Sequence, residues 1–211
     1  MSTVETSRPQ RFVLYGEPWE SYIRLLRIFD ERRHLRITYD RGALEIMTLS
    51  PEHEQWKRLI GRLIVALTEE LELPLAEYGS MTIKRRKKLR GLEPDECFWI
   101  QNAARMRNIK KYDIRNDPPP DLIVEVDITR SAVNRMGIYA SLGVPEVWRF
   151  RKGHLEFHIL GGDGTFAVDP TSRAFPGIAS SDLDRFVAMC GQAENNALIR
   201  EFREWIRGRA E

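Results

Sequence analysis

Hydrophobic positions along the chain switch between a spacing of two and a spacing of three to four, and each switch marks an element. Residues 1–16 are polar and without a period, a loose lead-in. From residue 18 to 33, Trp19, Tyr22, Ile23, Leu26 and Ile28 recur at helical spacing with basic residues between them. Residues 35–39 alternate, Asp40-Arg41-Gly42 supplies a turn, and residues 43–47 alternate back, which predicts a hairpin. Glu45 sits on the return strand and is read either as pointing into a site or, as is more common for a lone acid in a hairpin, as facing solvent. Ser50 as N-cap and Pro51 at the first helical position open a long helix. Its buried stripe is Trp56, Leu59, Ile60, Leu63, Leu67 and Leu71, and Pro74 stops it.

The remainder continues as short strands and helices. A strand is expected over residues 78–83, followed by the basic run 84–90. A second strand is entered through Pro94-Asp95 and runs to Ile100. A third covers 122–127 after Pro118-Pro119-Pro120. A helix follows, capped by Thr129 or Ser131, with Val133, Met136, Tyr139, Ala140 and Leu142 on its buried side and Gly143 at its left-handed end. Strands at 145–150, 154–160 and 166–168 come next. Gly161-Gly162-Asp163-Gly164 lies between two of them and so reads as a hairpin turn, not a phosphate loop. Helices at 181–190 and 193–209 close the chain, and no internal repeat is present.

The third strand carries the most informative residues. Side chains alternate along a strand, so Leu122, Val124 and Val126 face one way and Asp121, Ile123, Glu125 and Asp127 the other. At a rise of roughly 3.3 Å per residue, Glu125 and Asp127 stand about 6.6 Å apart on one face. Carboxylates on so apolar a strand are costly unless they are paired, bind a cation or meet water at the strand end. Asp95 stands at the mouth of the preceding strand, which is also entered through Pro-Asp. At the start of the long helix, Glu52 and His53 flank the buried stripe while Glu54 points away. His53 is read either as a packed histidine or as a group offered to a cleft. Six of the seven residues Lys84, Arg85, Arg86, Lys87, Lys88, Leu89 and Arg90 are basic, which suits either a solvated loop or contact with phosphates. His154 and His158 lack the spacing of a metal site and are placed on an edge-strand surface.

Composition narrows the class without naming a partner. The 211 residues suffice for one well-buried core, no linker marks a second domain, and 42% apolar with 30% charged residues is ordinary for a globular protein. A net charge of +2 is too small by itself to imply nucleic acid. Two cysteines, Cys97 and Cys190, argue against a disulfide framework or a thiolate zinc site and for a cytoplasmic setting. The sequence has no apolar run of membrane-spanning length and no signal-peptide character at its start.

The order from Ser50 onward, helix-strand-strand-strand-helix-strand with acids on the second and third strands, resembles the PD-(D/E)XK nuclease superfamily. More closely, the chain is similar to the bacterial Uma-two family of restriction-endonuclease-like proteins. The resemblance is carried by Ser50-Pro51-Glu52-His53-Glu54, by Glu93-Pro94-Asp95, and by the stretches 120–126 and 139–148. It implies an α/β (α+β) fold, a mixed sheet flanked by helices, with an added N-terminal hairpin and C-terminal helices in a single domain over 1–211. It also implies metal-binding acids at Asp95 and Glu125 and a characteristic histidine at His53. The superfamily's lysine position is Asp127 here, which makes Asp127 a candidate third ligand, and Arg135 on the following helix takes the place of the basic residue.

The chemistry matches these residue types. Hard divalent cations such as Mg²⁺ (or Mn²⁺) take carboxylate oxygens and keep several waters. They polarise a phosphoryl oxygen and ease deprotonation of a bound water. On this reading Asp95, Glu125 and Asp127 hold the metal, Arg135 meets the phosphate, His53 or Glu52 orients water, and residues 84–90 lie along DNA. The expected function is a metal-dependent DNA endonuclease, as a homodimer if both strands are cut. The alternatives are a non-catalytic DNA- or partner-binding module of the same fold and a hydrolase of another phosphate ester.

Overall fold

The computed structural model of the chain describes residues 10–29, 35–128 and 131–210. Two sheets organise it. The first is antiparallel, in the order β1-β3-β2-β6-β5, built from β1 (Arg11–Leu14), β2 (Leu35–Asp40), β3 (Ala43–Thr48), β5 (Ile83–Arg85) and β6 (Arg90–Leu92). The second, in the order β11-β10-β9-β8-β7-β4, contains β4 (Ala76–Glu77), β7 (Glu96–Trp99), β8 (Leu122–Asp127), β9 (Glu146–Arg151), β10 (His154–Leu160) and β11 (Phe166–Asp169). The helices are α1 (Trp19–Ile28), α2 (Pro51–Glu70), α3 (Ala103–Met106), α4 (Arg135–Leu142), α5 (Ser180–Ala188) and α6 (Asn195–Ala210).

In the second sheet the neighbours β8 and β9 run parallel and the other pairs antiparallel. A parallel pair needs a crossover, and α4 supplies it. The expected order therefore appears as α2, β4, β7, β8, α4 and β9. Alternation on β8 works as the sequence predicts. Leu122, Val124 and Val126 pack into a core shared with α2, α5 and α6, while Ile123 joins Cys97, Trp99, Val147 and the α4 residues Ile138 and Tyr139 on the opposite face. With both faces covered, the strand is apolar nearly throughout.

Several expectations are corrected. Residues 11–14, assigned to a loose lead-in, form the edge strand β1 against β3, while residues 1–9 lie outside the described residues. The end of the first helix, expected over 30–33, also lies outside them. The strand expected at 78–83 is instead two short pieces, β4 before it and β5 beginning at its last residue. The basic run is not a loop. It forms β5, a 3₁₀ turn (Arg86–Lys88) and β6, with Leu89 left-handed at φ 50°. Ile83 and Leu92 are fully buried and anchor this hairpin, so its charges point away from the core at the sheet edge. The helix after β8 starts later than expected. Asn134, whose side chain accepts from the Gly137 N–H at 2.9 Å, caps it in place of Ser131; Thr129 is outside the described residues. Gly143 ends it at φ 81°, as expected. His158 is buried, not surface, because β11 covers β10.

Candidate active site

The first sheet, the start of α2, β8 and α4 meet around a small cavity of about 20 Å³. Glu45, His53, Asp95, Glu125, Asp127 and Arg135 all line it, so five of the six candidate catalytic residues converge. Local structure explains each placement. Ser50 accepts from the His53 N–H at 3.2 Å, which locks the first turn of α2 and turns the imidazole inward. About 100° of helical rotation per residue then carries Glu52 outward, where it is exposed. The proposal that Glu52 orients water is therefore corrected. Glu54 is the acid beside His53, with Oε1 3.7 Å from Nδ1.

Asp95 is buried and held from two sides. Its Oδ2 accepts from His53 Nε2 at 3.0 Å and from the Val126 N–H at 2.8 Å, while Oδ1 lies 4.0 Å from Arg36 Nε. Burial opposes its ionisation, but the His53 hydrogen bond, the His53 and Arg135 charges and the Val126 amide outweigh it and hold the carboxyl below its usual range. His53 is raised by the same pairing. Burial disfavours the imidazolium, and the hydrogen bond to Asp95 with the charges of Asp95, Glu54 and Glu125 overcomes that. His53 Nδ1 is buried and has no hydrogen-bond partner among the described residues.

Glu125 is gripped by α4. Arg135 donates to it from Nε at 3.0 Å and from Nη2 at 2.6 Å, and the Tyr139 hydroxyl donates to Oε1. Burial pushes the Glu125 carboxyl up to about 7, against the lowering by Arg135 and with a further push from Asp95. Arg135 also donates to Thr38 Oγ1 at 2.8 Å and to the Glu93 carbonyl at 2.9 Å. A guanidinium with so many internal partners is a buried clamp on Glu125, beyond the expected role of meeting the phosphate. Asp127 lines the cavity but is paired with Arg149, whose Nε donates at 2.6 Å. Its neighbour in the motif, Asp121, is a structural staple that accepts from the Ile100 and Asn102 amides at 2.8 and 2.9 Å.

Glu45 is the residue the sequence reading missed. It is 1% exposed, accepts from Ser131 Oγ at 2.8 Å and the Ala132 N–H at 2.9 Å, and pairs with Arg11 at 3.2 Å. The signal lay in its register, since Glu45 pairs with Thr38, a ligand of Arg135.

Among the described residues no three His, Cys, Asp or Glu side chains are grouped to hold a metal ion. Among the carboxylate oxygens on the cavity, Asp95 Oδ1, Glu125 Oε2 and Asp127 Oδ1 keep acceptor capacity. That donor set suits a hard cation that takes one or two carboxylates and keeps its waters.

The basic run divides. Arg86 pairs with Glu20 at 2.8 Å, Lys88 donates to the Ser141 carbonyl, and Arg90 pairs with Asp40 at 2.8 Å and donates to the Gly137 carbonyl at 3.2 Å. These three fasten the hairpin to α1, α4 and β2. Lys84, Arg85 and Lys87 have no ion pair among the described residues.

A family model described as "Putative restriction endonuclease", Uma2, matches residues 19–176. The chain belongs to the Uma2 family. The match runs from the start of α1 to just before α5, so it takes in the second sheet, all of the first except β1, and the whole acidic cavity. The restriction-endonuclease-like α/β fold expected of an Uma2 protein is the architecture seen, with α5 and α6 lying beyond the matched stretch. No curated protein matches the chain. Among the described residues no helix is long and apolar enough to cross a membrane.

Proposed function

We propose that this Uma2 protein is a Mg²⁺- or Mn²⁺-dependent endonuclease that hydrolyses DNA phosphodiester bonds, with Asp95 and Glu125 as the metal-holding carboxylates. The observation that carries the reading is the convergence of these two acids, from successive strands, on one cavity beside His53 and Arg135. A divalent ion there supplies Lewis acidity at the phosphoryl oxygen and a more acidic water. The chain's own residues prepare the site. His53 and the Val126 amide keep Asp95 ionised and fixed, while Arg135 and Tyr139 orient Glu125. His53 Nδ1 lies 3.7 Å from Glu54 Oε1, which makes Glu54 the group with which the imidazole would exchange a proton. Arginine stays protonated, so Arg135 steadies charge and does not act as base.

A second reading has its own observation. Glu125 is already held by Arg135 and Tyr139, and Asp127 by Arg149, as in a member that keeps the fold and binds DNA or a partner without cleaving it.

The test is cleavage of single-stranded circular and supercoiled DNA with Mg²⁺ or Mn²⁺ by wild type, Asp95→Asn and Glu125→Gln. Wild type should cut and both variants should lose at least about a hundredfold, the scale of a lost metal ligand or its outer partner. Because Glu125 must be ionised to hold the cation and its carboxyl sits near 7, cleavage should rise as pH increases through 7. No cleavage by wild type with DNA binding intact establishes the second reading; equal cleavage by all three refutes the site.

A further inference from the structure

The C-terminal half of α1, the start of β2, the first turns of α2 and β5 enclose a groove of about 730 Å³. Five cations line it, Arg27, Arg36, Lys57, Arg58 and Lys84, against two carboxylates, Glu54 and Glu93. Arg36 lines both this groove and the acidic cavity, so the two spaces adjoin. The charges are not equivalent. Lys57 is buried, 3.4 Å from Glu54 and 3.9 Å from Glu96. Glu93 accepts from the Ile37 N–H at 3.3 Å and Thr82 Oγ1 at 3.0 Å, so its charge is turned into the protein. Arg27, Arg58 and Lys84 are exposed and have no carboxylate partner among the described residues. Some exposed arginines elsewhere, such as Arg86, Arg200 and Arg207, do have one, while Arg105 and Arg107, which stand outside the groove, do not among the described residues. Three exposed cations without a close ion pair among the described residues are thus gathered around a single groove, although the charge of Arg58 also acts on Glu96.

We infer that this groove seats a single strand of DNA and leads it to Asp95 and Glu125. Unpaired cations along a groove follow a phosphate backbone, and an apolar wall accommodates unstacked bases. Here Ile23, Leu26 and Met81 supply that wall. The volume suits one strand, since 730 Å³ lies within the range of small-ligand pockets, about 300–1,000 Å³, room for a few nucleotides and not for the width of a duplex within the groove. Past the acids the path continues. A further cavity of about 280 Å³ shares Glu125, Asp127 and Arg135 with the acidic one and is also lined by Arg149, which pairs with Asp127, and by Arg151. Two spaces adjoining the acidic cavity suit a strand cut internally.

The inference rests on the nuclease reading only for the strand's destination, so binding is measured apart from cleavage. The full chain is titrated, in EDTA, against a fluorescent oligothymidylate and against a blunt duplex of equal length, over a range of salt. Arg58→Glu/Lys84→Glu tests the groove, Arg58→Gln/Lys84→Gln repeats the test with a milder change, and Arg107→Glu/Lys110→Glu alters exposed cations outside it. The single strand should bind roughly tenfold or more tightly than the duplex. Both groove variants should weaken it by roughly tenfold or more, and the slope of log affinity against log salt should flatten by about 0.7 for each phosphate no longer neutralised. The control pair should bind like wild type. Duplex bound as tightly as the single strand, or groove variants that bind like wild type with unchanged slope, would overturn the inference. This binding pattern in a wild type that cuts no DNA would sustain the groove while refuting the nuclease reading.

Discussion

At Arg135 a guanidinium is buried against Glu125, Tyr139, Thr38 and the Glu93 carbonyl, tying α4 to β8, β2 and the segment before β7. Breaking a buried ion pair by removing one partner leaves an uncompensated charge and typically costs about 3–5 kcal/mol. Arg135→Ala should therefore lose stability on that scale in urea denaturation, and adding Glu125→Ala should restore part of the loss. A double variant no more stable than Arg135→Ala would mean that Arg135 acts through other partners. Asp95 and Glu125 were legible in the sequence because acids next to apolar β-branched runs need a reason to be there. The clamp on Glu125 was not, because a residue ten positions away becomes its partner only once the crossover helix returns over the strand. Glu54 and Glu45 were misplaced for a related reason. Helix rotation at an N-cap and the coverage of a hairpin face are both decided by tertiary contacts.

The hairpin of β5 and β6 shows the same limit one level up. Its basic residues look like a solvated loop, and the two that alternate inward, Ile83 and Leu92, are too few to announce a strand pair. What makes the pairing possible is Gly91, opposite Tyr39 and under the ring of Tyr22. A Cβ at Gly91 would come within 2.5 Å of the Tyr22 hydroxyl oxygen. Overpacking of this kind typically costs about 1–3 kcal/mol. Gly91→Ala should therefore be destabilised on that scale, and Gly91→Ala/Tyr22→Leu should recover stability relative to the single variant. Full stability of Gly91→Ala would contradict this close packing of α1 on the hairpin. By contrast the start of α2 and the whole of β8 were legible almost to the residue, because each has a clear cap or stop and a buried face, while of α4 only the end at Gly143 was.

For the whole molecule, the two sheets, with α2 and α4, bring their carboxylates and imidazole to one small cavity that adjoins the cation-lined groove and a further cavity lined by Arg149 and Arg151. The helix-strand-strand-strand-helix-strand order could be read from the sequence because each element is locally encoded. The second layer, in which the first sheet closes the site with Thr38 and Glu45, could not, since it depends on how two sheets dock. The central claim is that Asp95 and Glu125 share a divalent ion. Crystals soaked in Mn²⁺ test it most directly, through anomalous diffraction. The account predicts one peak within about 2.0–2.4 Å of an oxygen from each carboxylate, absent in Glu125→Gln. A cavity without a peak, or a peak that persists in Glu125→Gln, would contradict it.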